Sequence, residues 1–203
     1  MSVIRRLVLA LSVLAATSGC GDAIRQGRSP VILVVDLLQA SAGGATTGTP
    51  AGTLHSDVIT FLSQPPPCTP TAQCPTIFSD SGQVSLRLVP KDISVSPTTN
   101  NQVTITRYRV TYRRADGRNT PGVDVPFGFD GAVTGTVPAT GTVTLAFEIV
   151  RHVAKSETPL VQLQVSSQII STIADVSFYG TDLVGNDISV TGSILIDFGN
   201  FGD

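Results

Sequence analysis

Val143, Leu145, Phe147 and Ile149 alternate without a fault against Thr142, Thr144, Ala146 and Glu148. A two-residue period is the pleat of a β-strand, and here it puts four large apolar side chains on one face, so the segment must lie in a sheet with one buried side. The same period returns at Val84, Leu86 and Leu88, and again at Ala174, Val176 and Phe178. It closes the chain with Ile188, Val190, Ile194, Ile196 and Phe198, where Gly192 keeps the parity and leaves room for a bulky neighbour. Leu183, Val184, Gly185, Asn186 and Asp187 form a turn that folds these last two strands into a hairpin. Residues 103–113 are the longest candidate strand, but Val103 and Ile105 have the opposite parity to Tyr108, Val110 and Tyr112. A β-bulge near Thr106 and Arg107 absorbs that slip and keeps every apolar residue on one face.

Between these strands lie turn signals rather than helices. Residues 31–35 (Val, Ile, Leu, Val, Val) are too continuous for a one-sided strand and are expected to be covered on both faces. Residues 41–52 are small and polar and read as a long loop. Residues 57–62 form a second apolar segment that stops at Pro65, Pro66 and Pro67, because proline donates nothing to a ladder. Ala115-Asp116-Gly117-Arg118 is a turn, and the Gly/Pro-rich residues 121–131 permit only short edge strands. Residues 160–170 are read as a strand on Val161, Leu163 and Val165, with a short helix started by Pro159 as the alternative. With 19 glycines, 13 prolines and only 14% charged residues, the chain is a turn-rich β protein.

The N-terminus has a different character. Arg5 and Arg6 precede an apolar run over residues 7–16, then Thr17-Ser18-Gly19-Cys20. The run is too short for a lasting span, which needs about 20 apolar residues. With its basic start and small-residue junction it is the layout of a secretion signal. Thr17-Ser18-Gly19-Cys20 resembles the lipobox of bacterial lipoproteins, with Thr17 where that family most often has leucine. The resemblance implies cleavage before Cys20, diacylation of its sulfur and acylation (palmitate-type chains) of its new amine. Gly21, rather than an aspartate, follows it, which is similar to lipoproteins sent to the outer membrane. The expected location is the bacterial cell envelope, at the outer membrane or cell surface, and the expected partner is the membrane itself through the lipid anchor. Removing Arg5 and Arg6 with the leader leaves 11 basic against 15 acidic residues, a charge of −4. An acidic chain is a poor ligand for nucleic acid, so that class is set aside.

The leader leaves Cys68 and Cys74, which in an exported protein are expected to pair as a disulfide around a small ring. Their spacing and the presence of only two histidines argue against zinc. A hydrolase has little to work with: there is no Gly-x-Ser-x-Gly elbow, and His55, Ser56 and Asp57 are adjacent in sequence, which is not convergence in space. Calcium ligands are conceivable at Asp182 and Asp187, joined by Asp124 or Asp130, although the same residues suit hairpin turns. No cofactor and no resident metal are expected. The densest charge is Arg107, Arg109, Arg113, Arg114 and Arg118, a candidate anion-binding strip for polysaccharide, lipid headgroups or an acidic envelope protein. Its alternative is a solvated strand face held by cross-strand ion pairs.

About eight or nine short strands with regular turn signals imply an all-β, antiparallel β-sandwich. From about residue 84 the chain resembles an immunoglobulin-like or fibronectin-type-III module, on strand rhythm and on Tyr108-Arg109-Val110-Thr111-Tyr112 followed by a turn. The expected organisation is a signal peptide over residues 1–19, a polar tether over 20–29, N-terminal strands and loops over 30–82 packing on the sandwich, and the immunoglobulin-like sandwich over 83–203. The expected function is a lipid-anchored, noncatalytic binding or structural module. The alternatives are a carbohydrate-binding module using Tyr108, Tyr112 and Tyr179, or a small envelope hydrolase or its accessory subunit.

Overall fold

The computed structural model describes residues 27–44, 48–94 and 96–202. The leader and Cys20 lie outside them. Ten strands run in chain order: β1 Val31–Ser41, β2 Thr53–Asp57, β3 Thr60–Leu62, β4 Cys74–Thr76, β5 Asp80–Pro90, β6 Val103–Arg113, β7 Phe129–Val137, β8 Thr142–Val150, β9 Ile170–Asp182 and β10 Asp187–Gly199. They form a three-stranded sheet in the order β1-β5-β8, a five-stranded sheet in the order β2-β10-β9-β6-β7, and a separate ribbon of β3 and β4. The fold is therefore all-β, with two sheets enclosing one core. The pairings are antiparallel except that of β2 with β10, which is parallel.

The core is what the alternation demands. Val84, Leu86, Leu145, Phe147 and Ile149 of the smaller sheet meet Ile105, Val110, Val176, Phe178 and Ile196 of the larger. At its centre Phe147 lies 5.0 Å from the Tyr108 ring and 5.2 Å from Phe178, in tilted and edge-on contacts. Such pairs add about 0.5–1.5 kcal/mol each to the burial of their surface. The register of β6 shifts between Ile105 and Arg107 against both β7 and β9, which is the bulge that the parity slip requires. Gly192 faces Leu38 and Val35 of β1, so the missing side chain makes room for two apolar ones from the opposite sheet.

Two sequence expectations need correction. The run over residues 31–35 is not covered on both faces: β1 is an edge strand, with Ile32 and Leu37 exposed and a register shift at Asp36 that turns Leu38 and Ala40 back toward the core. Residues 160–165 are a 3-10 helix rather than a strand. Pro159 enters it in the helical region of backbone space, and Leu160 and Leu163 are buried at the three-residue repeat of that helix while Val165 is almost fully exposed. Among the described residues the strands number ten, close to the eight or nine expected, with the short β2, β3 and β4 all formed. Residues 30–82 also supply β1 and β2 as integral strands of the two sheets, and the limit at residue 82 falls inside β5.

The strands give the sandwich two unlike poles. At one, the chain enters through Ser29 and Pro30 beside the end of β5 and the β9–β10 turn; Lys91 N–H donates to the Pro30 carbonyl, and the Ser29 side chain hydrogen-bonds Asp182. At the other pole lie the loop after β1, the β3–β4 ribbon, the residue 114–128 loop, and a single helical turn, α1 (His152–Lys155), followed by the 3-10 helix.

Candidate functional site

The arginine strip divides once it is placed on strands. Arg107, Arg109 and Arg113 project from the outer face of β6, because the core takes the alternate positions Tyr108, Val110 and Tyr112. Asp130, opposite on β7, takes Arg107 and Arg109 at 3.4 and 3.5 Å, and Asp175 on β9 takes Arg113 at 2.7 Å. Arg114 and Arg118 lie beyond the strand and share Asp116. Those two guanidiniums hold the Asp116 carboxyl down to about 2. All five arginines thus have carboxylate partners within the chain. These are cross-strand and turn pairs at the surface, weakened by the water around them, and they leave a mixed-charge surface.

Arg107 also lies over the Tyr179 ring, 4.0 Å from its centroid. Beside it, Thr106, Gly180, Thr181, Asp187 and Ile188 complete a shallow cleft of about 280 Å³ at the β6 bulge. Tyr179 is the one tyrosine left near the surface, since Tyr108 and Tyr112 are in the core. The Tyr112 hydroxyl donates to the Ile149 carbonyl at 2.6 Å across the sandwich. A sugar platform built from Tyr108 and Tyr112 is therefore not present.

Asp182 and Asp124, two of the candidate calcium ligands, are engaged within their own turns. Asp182 accepts from the backbone N–H groups of Val184 and Asn186 and from the Asn186 side chain, which is the work of a turn-capping carboxylate. Burial pushes its pKa up, but these bonds and that from Ser29 outweigh burial and hold it below the ordinary range. Asp124 accepts from the Thr120 N–H in its own loop. Among the described residues no three His, Cys, Asp or Glu side chains gather around a common point. His55 and Ser56 point to opposite faces of β2: His55 is exposed beside Asp197, and Ser56 is buried. His152 is exposed on α1. Cys68 and Cys74 form the disulfide expected of them, closing the loop of the β3–β4 ribbon.

One cluster escaped the sequence reading altogether. Asp80, at the start of β5, and Lys155, at the end of α1, form an ion pair at 2.9 Å with neither side chain exposed. Lys155 also donates to the Asp57 carbonyl at 2.8 Å; Ser56 donates to the second Asp80 oxygen at 2.5 Å, and the Gly43 N–H to the first at 2.9 Å. Four segments well separated in sequence thus meet around one carboxylate. Burial pushes the Asp80 carboxyl above its ordinary range, against the pull of Lys155, Ser56 and Gly43. With Ser56 and Lys155 closed off from solvent, this arrangement ties loops together rather than presenting reactive groups to an external substrate.

Further bonds extend the brace: Thr158 donates to the Gly122 carbonyl, Gln164 to the Lys155 carbonyl and Asn200 to the Gln164 carbonyl. The irregular pole is therefore a fixed surface, and it carries Phe61, Val123, Phe127, Val153, Val165 and Ile169 among its exposed apolar side chains. Neither the short-range spacing of charges nor any motif marks Asp80 or Lys155. Lys155 lies among Arg151, His152 and Glu157, so its neighbours in sequence do not set it apart from an ordinary surface lysine. No protein-family model, curated protein or solved structure matches the chain.

Proposed function

We propose that the protein is a lipid-anchored module of the bacterial cell envelope, held at the outer membrane or cell surface by Cys20 and acting through binding or scaffolding rather than catalysis. The observation that carries this reading is the leader: two arginines, a short apolar run and Thr17-Ser18-Gly19-Cys20 placed directly ahead of the sandwich. Two or three acyl chains, at about 0.8 kcal/mol per buried methylene, hold such a domain durably where one does not. A rigid braced pole with exposed apolar side chains suits a module that meets an envelope protein or a polymer there. The test is Cys20→Ala in the full chain, followed by fractionation and intact mass. Release of the protein from the membrane fraction with loss of the acyl mass supports the reading; unchanged membrane retention removes it. Crosslinking in intact cells, followed by identification of the captured species, then names the partner.

A further inference from the structure

Turn apices in a folded protein are ordinarily polar, because they stand in water and their backbone needs small or hydrogen-bonding side chains. At the pole where the chain enters the sandwich, two apices break that rule. Ile93, between β5 and β6, is 97% exposed, and Leu183 and Val184, in the β9–β10 turn, are 58% and 78% exposed. Neither protrusion is a loose end. Asp92 accepts from both the N–H and the hydroxyl of Ser94, at 2.9 and 2.6 Å, and so clamps the residue between them outward. Asp182 does the same for its turn, accepting from the N–H groups of Val184 and Asn186 at 3.0 and 2.8 Å. In each apex an aspartate organises the backbone and an aliphatic side chain is held at the tip.

Both apices are bound to the entering chain. Lys91, two residues before Ile93, donates through its N–H to the Pro30 carbonyl and through its ammonium to the Gly27 carbonyl. Ser29 hydrogen-bonds Asp182, the residue before Leu183. The aliphatic tips therefore flank the point where the segment from Cys20 arrives. Only seven residue steps separate Cys20 from Gly27, and even a fully extended chain covers about 25 Å over that distance. An acylated Cys20 keeps this pole within that reach of the bilayer, where contacts too weak to recruit the protein on their own become effectively intramolecular. Small aliphatic tips on rigid turns are suited to the boundary between headgroups and acyl chains.

We infer that Ile93, Leu183 and Val184 form a lipid-contacting pole that seats the sandwich on the membrane surface carrying its anchor and fixes its orientation. The inference rests on the lipid-anchor reading and adds the geometry of docking to it. One consequence is that the braced pole, with its disulfide ribbon and exposed Phe61 and Phe127, faces away from the lipid.

The chain contains no tryptophan, so single tryptophans report cleanly. The full acylated protein carrying Ile93→Trp, Val184→Trp or, as the opposite-pole control, Phe127→Trp is reconstituted into vesicles of phosphatidylethanolamine and phosphatidylglycerol, with and without brominated acyl chains. Folding of each variant is checked by its thermal melt. The expected result is a blue-shifted emission at positions 93 and 184 that brominated lipid quenches at least twofold, with position 127 unquenched. Vesicle-bound, acylated protein with positions 93 and 184 unquenched overturns the docking pole and leaves the anchor standing. Quenching equal at all three positions also overturns it, since the sandwich then has no fixed orientation. A blue shift that grows with protein concentration without lipid assigns the tips to a second copy, against the inference. Absence of acyl mass and of flotation with the vesicles removes the anchor and the inference together.

Discussion

Lys155 and Asp80 neutralise one another where neither reaches water, so the pair and its members respond very differently to substitution. Lys155→Met leaves the Asp80 carboxylate buried beside Ser56 and Gly43 without its cation; the expected cost is about 3–5 kcal/mol at neutral pH. Adding Asp80→Asn removes the stranded charge and should recover much of that loss. Urea denaturation of the two variants checks this, and equal stabilities for the single and the double variant would sink it. Tyr112 gives a pH dependence of defined sign. Burial, with Asp80 adding to it, pushes the Tyr112 phenol far above its ordinary pKa, so the folded state keeps a proton that the unfolded state releases above about 10. The folded state then binds more protons, and stability falls as pH rises past that point, by about 1.4 kcal/mol per pH unit for this phenol. Tyr112→Phe should lose about 1–3 kcal/mol at neutral pH, because the Ile149 carbonyl is left unpaired, and should show a shallower alkaline decline than the parent. Parallel slopes in urea titrations between pH 9 and 11 would contradict the assignment.

At the scale of elements, the β6 bulge is where sequence and structure agree most closely, and it depends on a partner that the sequence does not advertise. A Cβ on Gly180 would stand 2.3 Å from the Thr104 carbonyl oxygen, an atom of the adjacent strand that cannot swing aside. Gly180→Ala should therefore destabilise the protein by about 1–3 kcal/mol, with backbone amide shifts concentrated in residues 103–108 and 178–182. A melt within error of the parent would show that the two strands separate more freely than the register implies. The bulge itself was legible because strand parity is a local property: Ile105 and Tyr108 cannot share a face without an extra residue between them. The 3-10 helix at Leu160–Val165 hides behind a strand pattern for the converse reason. Val161, Leu163 and Val165 alternate, but Leu160 and Leu163 are the residues the core takes, and over six residues a three-residue and a two-residue period overlap. The continuous run in β1 misled because an edge strand needs burial on only one face, and exposure of Ile32 and Leu37 is settled by which strands lie alongside.

Over the whole molecule, what sequence pattern could not carry is anything assembled from distant segments. The outer face of β6 was legible as a row of arginines, but the carboxylates that neutralise it come from β7, β9 and a turn. The Asp80 and Lys155 cluster joins residues 75 apart and has no periodic signature at all. The same global arrangement creates open sheet edges, a liability because an unpaired strand is a template for another chain. β1 is the long edge of the smaller sheet, and it is guarded midway: the register shifts at Asp36, and the Asp36 carboxylate holds Arg87 of β5 at 2.5 Å. The guard is a charge placed within an otherwise apolar stretch between Val31 and Leu38. Asp36→Val removes the charge and its ion pair, joining the exposed Ile32 and Leu37 into one apolar edge. The expected consequence is little change in the unfolding midpoint, because an exposed pair contributes at most about 1 kcal/mol, together with concentration-dependent association seen by sedimentation velocity. Association should disappear when a lysine is placed at Leu37 in the same background, since a charge on the open edge resists strand addition. If Asp36→Val stays monomeric at concentrations where the parent is also monomeric, edge protection must instead come from the backbone kink of the bulge, and Asp36 is there to hold Arg87.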